Sequence, residues 1–515
     1  MSSPVSIGFH SIIKIDRRKE EAVYLQIVYQ FIHAVKRNLL EDGDLLPGSR
    51  KIADELKVHR KTIVAALAEL QEQGWVKILP NRGTFVKNPE RIGATTATIE
   101  AFRQPPDFAP YSFRKELILD MPILEAPEKY YFTDGTPDYS VIRAEELVRF
   151  YASMVKRKKK SDDFPTTTEG NLFFRDQLSY YLNLTRGFHL SRNFLLPIAS
   201  REQIFSILSR LLIRRDDIVL VENLSYFLPN MIFSQAGAKL KTVPVDSDGM
   251  IVDRIGDQFK PGEIRCVYLN TRCQYPTTVN LSEKRKIQLL QLAEQYDFII
   301  VEDDADFESS FIKTKGESLF RKNAGNRVIY TGAFGSFFDP GFQMNFLIAP
   351  QDLLDEGKKY LNIFGKPNFM IEKTLGEIIH QGDIFRYQRK FQKTIAERKE
   401  LFAMLLQRYF EDEITFTIPG SGLAFWVQFK AVFSLTVLQE KARARGLLVP
   451  SNCLYQNKTV TALRLGFAHL DEQSMADAIY LLRTAYGDLV VRKSTLKTQG
   501  EGVIFNQNEH RLRRE

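Results

Sequence analysis

Cysteine is scarce in this 515-residue chain, which contains only Cys266, Cys273 and Cys453. An odd number without metal-type spacing indicates neither a disulfide framework nor a zinc site. The sequence also lacks an uninterrupted run of about 18 apolar residues, so it predicts no transmembrane helix. Its beginning has neither the apolar core nor the small-residue cleavage site of a secretory signal. We therefore expect a cytoplasmic protein.

A strong excess of either charge is also absent from the composition. The chain has 71 Lys and Arg against 63 Asp and Glu, a net charge of +8, with 44% hydrophobic and 26% charged residues. This balance is typical of a globular protein with a core and excludes a mainly disordered chain. At roughly 100–200 residues per domain, the length predicts a multidomain protein.

The positive charge is concentrated near the beginning of the chain. The range 46–88 contains eight basic and four acidic residues, a local excess of +4. Apolar residues at helical spacing predict three helices, which begin near Val23, near Arg50 and near Thr62. Two β-rich runs, 76–79 and 83–86, then predict a hairpin with Arg82 at its tip. This order of elements predicts a winged helix-turn-helix, an α+β fold.

In a winged helix-turn-helix the third helix enters the major groove of DNA, and the hairpin lies along the backbone or minor groove. Four side chains at the start of this helix can reach base edges and phosphates, with help from the helix dipole: His59, Arg60, Lys61 and Thr62. A solvated basic helix face is the alternative interpretation. The agreement of charge, helix order and hairpin favours DNA binding.

The segment LPGSRKIADELKVHRKTIVAALAELQEQGWVKILPNRGTFV closely resembles the DNA-binding domain of GntR-type bacterial transcription regulators. The resemblance implies that Arg50 and Arg60 contact double-stranded DNA, with Lys61, Thr62 and Arg82 nearby. His59 replaces the serine that usually precedes the arginine, so the local base preference is expected to differ.

Short apolar runs alternate with helical stretches from about residue 130 to 487, which predicts an α/β body with a mainly parallel sheet. Ligands of such sheets bind beyond the carboxyl ends of the strands. One predicted strand ends at Val301 and is followed by a carboxylate cluster at 302–306. The residues alone leave two interpretations open, metal binding or a carboxylate that pairs with a heterocyclic nitrogen.

Six motifs extend along this body: GTPD at 135–138, LTRG at 184–187, VENLSY at 221–226, CQYPT at 273–277, TGAFGS at 331–336 and LRLGFA at 463–468. Together they resemble the fold-type I aminotransferases, as fused to a GntR-type head in MocR (GabR-like) regulators. The resemblance implies a pyridoxal phosphate cleft and a head-to-tail homodimer. An operator for such a dimer has two half-sites.

Several positions depart from the aminotransferase pattern. Ser336 lies where the Schiff-base lysine belongs, Gln343 where the phosphate-binding arginine belongs, and Ala305 where a tyrosine belongs. The segment 200–203 reads SREQ in place of Ser-Gly-(Ser/Thr)-Gln, so Glu202 would oppose a phosphate that Arg201 partly offsets. A serine hydroxyl cannot form an imine. We therefore expect no covalent aldimine and no transamination, while weak non-covalent binding of the cofactor stays open.

Three residues keep the family's types. The resemblance implies that Asp303 pairs with the pyridine nitrogen, that Tyr226 stacks on the ring, and that Arg464 binds the carboxylate of an amino-acid ligand. The alternatives are that Asp303 caps the following turn, that Tyr226 belongs to the core, and that Arg464 pairs with an internal acid.

The sequence thus predicts a DNA-binding transcription regulator whose inactive aminotransferase-like domain acts as a ligand sensor, a dimerisation module or both. The alternatives are a pyridoxal-phosphate aminotransferase with a regulatory head and a scaffold that binds neither DNA nor ligand. The predicted division is an N-terminal segment, a winged helix-turn-helix, a linker, an aminotransferase-like domain and a flexible charged tail, at 1–19, 20–88, 89–128, 129–490 and 491–515.

Overall fold

The computed structural model describes residues 8–17, 21–37, 39–80, 82–88, 111–120, 128–157, 169–311, 317–323 and 326–490, together with the backbone of 491–501. The chain divides into two compact units, Met1–Arg114 and Lys115–Glu515. Each unit has its own hydrophobic core. Most of the range 89–128, predicted to be a linker, lies outside the described residues.

The N-terminal unit is the winged helix-turn-helix that the sequence predicts. Its elements are α1 (Phe9–Ile12), α2 (Val23–Lys36), α3 (Ser49–Leu56), α4 (Arg60–Glu72), β1 (Val76–Leu79) and β2 (Gly83–Val86). The two strands pair antiparallel, and Leu45 adds a bridge to Phe85 at the edge of this hairpin. Gly83 has φ +115°, and a Cβ there would lie 2.6 Å from Leu45 Cδ1, so the wing requires glycine at this position.

Apolar faces of all four helices form the core of this unit. Phe31 and Val28 of α2 pack with Ile63 and Ala66 of α4, and the hairpin contributes further residues such as Val76. Phe9 and Ile13, which precede the range 20–88, are also buried in this core. The backbone amide of Phe9 donates to the Glu55 carboxylate at 2.9 Å, which ties α1 to α3.

The C-terminal unit begins with a short strand and continues with alternating helices and strands. Its first half contains β3 (Tyr130–Tyr131), α5 (Ala144–Lys156), α6 (Leu172–Arg186), β4 (Leu195–Ile198), α7 (Arg201–Leu212), β5 (Ile218–Glu222), α8 (Phe227–Gln235), β6 (Lys239–Val243), β7 (Val245–Asp246), β8 (Gly249–Met250), α9 (Asp253–Gln258), β9 (Ile264–Leu269), α10 (Glu283–Tyr296) and β10 (Ile299–Asp304).

The second half carries the remaining strands of the large sheet and a smaller antiparallel sheet. It contains α11 (Leu319–Asn323), β11 (Val328–Phe334), β12 (Met344–Ile348), α12 (Gln351–Phe364), α13 (Phe369–His380), α14 (Asp383–Phe410), β13 (Ile414–Phe416), β14 (Ala424–Phe429), α15 (Leu435–Arg443), β15 (Leu447–Leu448), β16 (Leu454–Gln456), β17 (Thr461–Gly466) and α16 (Glu472–Glu501).

The large sheet has seven strands in the order β4-β12-β11-β10-β9-β5-β6. Strand β12 is antiparallel to both of its neighbours, and the strands from β11 to β6 are parallel to one another. The prediction of a mainly parallel sheet is therefore confirmed. The carboxyl ends of β5, β9, β10 and β11 lie along one edge, which is where a ligand site is expected.

Buried aromatic and aliphatic side chains hold helices against both faces of this sheet. Phe205 of α7 packs edge-on against Tyr268 of β9, with ring centroids 5.5 Å apart, and against Phe233 of α8 at 6.2 Å. On the other face, Val267 and Ile300 pack with Leu289 of α10. Such short, fully buried strands need apolar residues on both sides, which explains why the sequence shows them as continuous apolar runs.

Two features at the ends of elements differ from the sequence prediction. Strand β10 continues through Asp304, so Glu302, Asp303 and Asp304 belong to the strand itself rather than following it, and a 3-10 turn covers Ala305–Ser309. Helix α16 continues through Glu501, into the range predicted to be a flexible tail. Residues 502–515 lie outside the described residues.

All three cysteines are buried and free. In the part of the chain that the structure describes, His, Cys, Asp and Glu form no group of three that could hold a metal ion. Of the helices within the described ranges, none is both long and apolar enough to cross a membrane.

Candidate DNA-binding face and cofactor-like cleft

Basic side chains are exposed on the N-terminal unit where α3 and α4 begin. Arg50, Arg60 and Lys61 are exposed, and Arg82 is exposed at the tip of the hairpin. Thr62 is half-buried. Arg60 Nε lies 3.4 Å from the Ser49 hydroxyl, so the side chain connects the starts of α3 and α4. Long, exposed, positively charged side chains at helix starts are suited to phosphate and base contacts.

His59 has a structural role that the sequence analysis missed. Its Nδ1 accepts a hydrogen bond from the Lys61 backbone amide at 3.2 Å, so His59 is the N-cap of α4. An N-cap satisfies one of the free amides of the first helical turn. GntR-type domains usually have serine at this position, and serine is also a common N-cap residue. The replacement of serine by histidine was therefore the signal in the sequence that could have revealed the N-cap.

The carboxylate of Asp303 lies at the carboxyl edge of the large sheet and is 1% exposed. Its Oδ2 forms an ion pair with Arg201 Nη2 and accepts a hydrogen bond from the Tyr268 hydroxyl at 2.9 Å. The Thr331 hydroxyl lies 3.4 Å from Oδ1. The following 3-10 turn has Asp304 as its N-cap and no side-chain cap hydrogen bond, so the Asp303 carboxylate does not cap it.

Arg201 is the first residue of α7, and its guanidinium lies between two of the residues singled out by the sequence. It pairs with Asp303, and its Cζ lies 4.8 Å from the ring centroid of Tyr226, within the range of a cation–π contact. Tyr226 is half-buried and lies at the start of α8. The sequence predicts that Arg201 partly offsets the effect of Glu202 on a phosphate; in the structure, its guanidinium pairs with Asp303.

The Ser336 hydroxyl is bound by Glu308, a carboxylate that the sequence analysis did not single out. Ser336 Oγ donates to Glu308 Oε2 at 3.0 Å, and its backbone amide donates to the same atom at 2.8 Å. Gly335 N and the Tyr181 hydroxyl donate to Oε1, each at 3.2 Å. Glu308 is 0% exposed, and these donors compensate its burial.

Gln343 turns its side-chain amide towards the backbone of the loop that carries Ser336. Its Nε2 donates to the Phe338 carbonyl at 2.7 Å and to the Ser336 carbonyl at 3.3 Å. The residue therefore closes the loop 336–343 at the position where the family places a cation for the phosphate.

Arg464, on β17, is 4% exposed and is bound by the backbone of its own chain. Its Nε and Nη1 donate to the carbonyls of Asp134 and Pro276, each at 2.8 Å, and its Cζ lies 4.5 Å from the Tyr275 ring centroid. Burial raises the pKa of the nearby Asp306 to about 6, against the opposing effects of Arg464 and Arg201. Arg464 and Arg201 thus both contribute positive charge near this acid.

Glu222, at the end of β5, is a buried acid that motif comparison did not reveal. Burial raises its pKa to about 8, against the smaller opposing effects of Gln274 and of the Asn270 backbone. Its Oε2 has no hydrogen-bond partner among the described residues. Burial therefore favours the protonated, neutral form of this carboxyl group in the folded protein.

Comparison with known proteins agrees with the two units. Residues 23–86 match the family model described as bacterial regulatory proteins, gntR family. The chain is 23% identical over 480 residues to the probable rhizopine catabolism regulatory protein MocR of Rhizobium meliloti, covering 92% of this chain and 96% of that protein. It is 22% identical over 486 residues to the uncharacterized HTH-type transcriptional regulator YdfD of Bacillus subtilis, covering 92% and 98%.

The C-terminal unit has the fold of aminotransferases. The multiple substrate aminotransferase of Thermococcus profundus superposes with a TM-score of 0.65 at 20% identity, over 72% of this chain and 93% of that one. An archaeal alanine:glyoxylate aminotransferase gives the same TM-score at 23% identity, over 70% and 91%. The chain thus joins a GntR helix-turn-helix to a fold-type I aminotransferase fold.

Because the pKa of Glu222 is raised in the folded state, its protonated form is favoured by folding. Between about pH 4.5 and 8 the unfolded chain loses this proton first, so stability falls as the pH rises through this window. Glu222→Gln cannot ionise, and its free energy of unfolding relative to the wild type should rise from pH 5 to pH 8. Urea denaturation at both pH values measures the difference.

The matched control is Glu145→Gln, at an exposed position in the first turn of α5. Its stability relative to the wild type should stay constant over the same pH range. A Glu222→Gln variant that behaved like this control would show that Glu222 is ionised in the folded protein.

Proposed function

We propose that this chain, a GntR-type helix-turn-helix joined to an aminotransferase-like unit, is a sequence-specific DNA-binding transcription regulator whose C-terminal unit does not transaminate. The observation that carries the regulatory part is the match of residues 23–86 to the GntR family, together with the exposed basic start of α4. The proposal for the C-terminal unit rests on the side chains that line its cleft.

DNA binding is assigned to the starts of α3 and α4 and to the wing. Arg50, Arg60 and Lys61 are exposed at the starts of α3 and α4, which the contact of Arg60 with Ser49 brings together, and the amino end of α4 adds the positive end of its dipole. Arg60 is the residue proposed to read a base, because an arginine can form two parallel hydrogen bonds with guanine. Arg50, Lys61 and Arg82 are proposed to contact the backbone, which gives affinity with little sequence preference.

Loss of covalent chemistry is supported first by Ser336. An imine with pyridoxal phosphate needs a nucleophilic amine, and a hydroxyl cannot replace it. The Ser336 hydroxyl is also engaged by Glu308 at 3.0 Å. A serine held in this way stabilises the loop rather than taking part in a reaction.

The phosphate end of the cofactor is also poorly matched by the residues present. Gln343 is neutral and donates to two backbone carbonyls of its own loop. Glu202, in the first turn of α7, is exposed and negative, so it would repel a phosphate dianion at this helix start. These residues do not fit pyridoxal phosphate.

An aminotransferase with a regulatory head is the competing function. Asp303, Tyr226 and Arg464 keep the residue types of that family, but each is engaged within the chain, by Arg201 or by backbone carbonyls. A sensor that binds another small molecule, such as an amino acid, needs none of the lost groups. We therefore favour the sensor.

The aminotransferase-like unit is also proposed to form a homodimer. Five large apolar side chains on α5 and α6 are 46–74% exposed: Val148, Val155, Leu172, Tyr180 and Leu184. Tyr180 and Leu184 are four residues apart on α6 and so lie on one face. Exposed apolar faces of this kind are typical of protein–protein contacts.

Replacing Arg60 tests the proposed recognition helix. Arg60→Ala should weaken binding to DNA from the region upstream of the protein's own gene by roughly 1–3 kcal/mol, or about 5- to 150-fold, because a bidentate base contact is lost. Gel-shift titration measures this change. Arg210→Ala, which removes an exposed arginine from the C-terminal unit, is the control and should bind like the wild type. Unchanged affinity after Arg60→Ala would mean that the recognition helix is assigned wrongly.

Absorbance spectroscopy tests the loss of the covalent cofactor. Protein incubated with pyridoxal phosphate and then dialysed should show no aldimine band near the edge of the visible range, because Ser336 offers no amine. Borohydride treatment and peptide mapping should find no pyridoxyl-lysine. A stable band that borohydride removes, with the label on a lysine, would refute the proposal.

Light scattering tests the proposed dimer. The full chain should have twice the mass of one chain, and Leu184→Asp should shift it towards the monomer, because a charge would be buried in the interface. Ile418→Asp, at another exposed apolar position, is the control and should leave the mass unchanged. A monomeric wild type would exclude the dimer.

A further inference from the structure

Two residues that the family uses to hold the cofactor ring contact a side chain of this protein instead. Asp303 is the counterpart of the carboxylate at the ring's nitrogen edge, and Tyr226 is the counterpart of the aromatic residue on the ring's face. The guanidinium of Arg201 pairs with Asp303 through Nη2 and lies 4.8 Å from the centroid of Tyr226. One planar cation therefore makes both contacts.

We infer that Arg201 is a built-in substitute for the pyridine ring of pyridoxal phosphate and that it excludes the cofactor from the cleft. This inference rests on the proposed function, because it assumes that the cleft descends from a cofactor site. Arg201 then gives a further reason why the cofactor does not bind, besides the missing lysine and the missing phosphate contacts, because its guanidinium occupies the position of the ring.

The charge of Asp303 supports this inference. The side chain is 1% exposed, and a buried carboxylate without a positive partner strongly destabilises a folded protein. A protonated pyridine ring supplies such a partner in an enzyme that carries the cofactor. The guanidinium is also planar and positively charged, stacks on aromatic rings and stays charged at all relevant pH values. It can therefore replace the ring in both its electrostatic and its stacking contact.

The position of Arg201 in the fold supports it as well. It follows the N-cap Ser200 at the start of α7, in a segment where the resembling family has glycine. Glycine leaves the space next to Asp303 open, and arginine is long enough to enter it. The side chain is 30% exposed, while its Nε is buried without a hydrogen-bond partner among the described residues. The guanidinium is thus held by the ion pair between Nη2 and Asp303 and by the contact of its face with the Tyr226 ring.

A binding experiment with pyridoxamine phosphate tests whether Arg201 closes the ring site. This probe carries no aldehyde, so it cannot react with surface lysines. In a Gln343→Arg background, which returns a cation for the phosphate, the additional change Arg201→Gly should tighten binding at least tenfold, because it opens the ring's place. Calorimetric or fluorescence titration measures the affinity.

Arg210→Gly in the same background is the matched control. Arg210 lies on the same helix, is exposed, and its guanidinium stacks on Phe364 away from Asp303. This variant should bind the probe no better than Gln343→Arg alone. Equal affinities of the Gln343→Arg protein with and without Arg201→Gly would overturn the inference.

A double-mutant cycle of thermal stability provides a second test that needs no ligand. Arg201→Gly and Asp303→Asn should each lower the melting temperature, because each leaves one member of the ion pair uncompensated. The double variant should melt no lower than the less stable single variant. Additive losses would overturn the inference.

The results of these two experiments can be distinguished from a failure of the proposed function. A pyridoxyl-lysine found after dialysis and borohydride reduction of the wild type would refute the loss of covalent chemistry, independently of the role of Arg201. The pyridoxamine phosphate titration and the mutant cycle report only on Arg201 and its partners.

Discussion

A carboxylate buried at the edge of a sheet must be compensated, and in this protein that requirement shapes the cleft. Asp303 is enclosed by Tyr268, Thr331 and Arg201, and of these three Arg201 alone brings a positive charge into direct contact. The ion pair connects the start of α7 to the end of β10. Through Tyr226 it also connects to the start of α8. Three elements around Asp303 are thus held by one guanidinium.

The other acids at this edge are compensated in different ways. Asp304 accepts from Arg272 at 3.0 Å and from the Tyr330 hydroxyl at 2.7 Å. Glu302 accepts from the Thr271 hydroxyl and from two backbone amides, and burial together with Asp304 raises its pKa to about 7. Asp304 and Glu302 are thus each held by several polar partners, as buried acids require.

Glu308 and Ser336 illustrate the same principle in the loop that carried the reactive lysine in the resembling enzymes. The buried carboxylate of Glu308 gathers two backbone amides and two hydroxyl groups, and Ser336 contributes one of each. A serine at this position therefore stabilises the loop through a short side chain. In a regulator this loop only has to be part of a stably folded domain, whereas in an aminotransferase it must also supply the amine of the reactive lysine.

The sequence by itself determined the order of elements, because helix and strand periodicity and the charge of the range 46–88 are local properties. It also determined that no amine is present at position 336. Only the tertiary structure decided that Arg201 pairs with Asp303 and stacks on Tyr226, since these residues are far apart in the chain. The direction of a long side chain depends on which buried charges surround it, and periodicity and motif spacing carry no information about that. For the same reason the roles of Glu308 and Glu222 became visible only when the strands and loops around them were assembled.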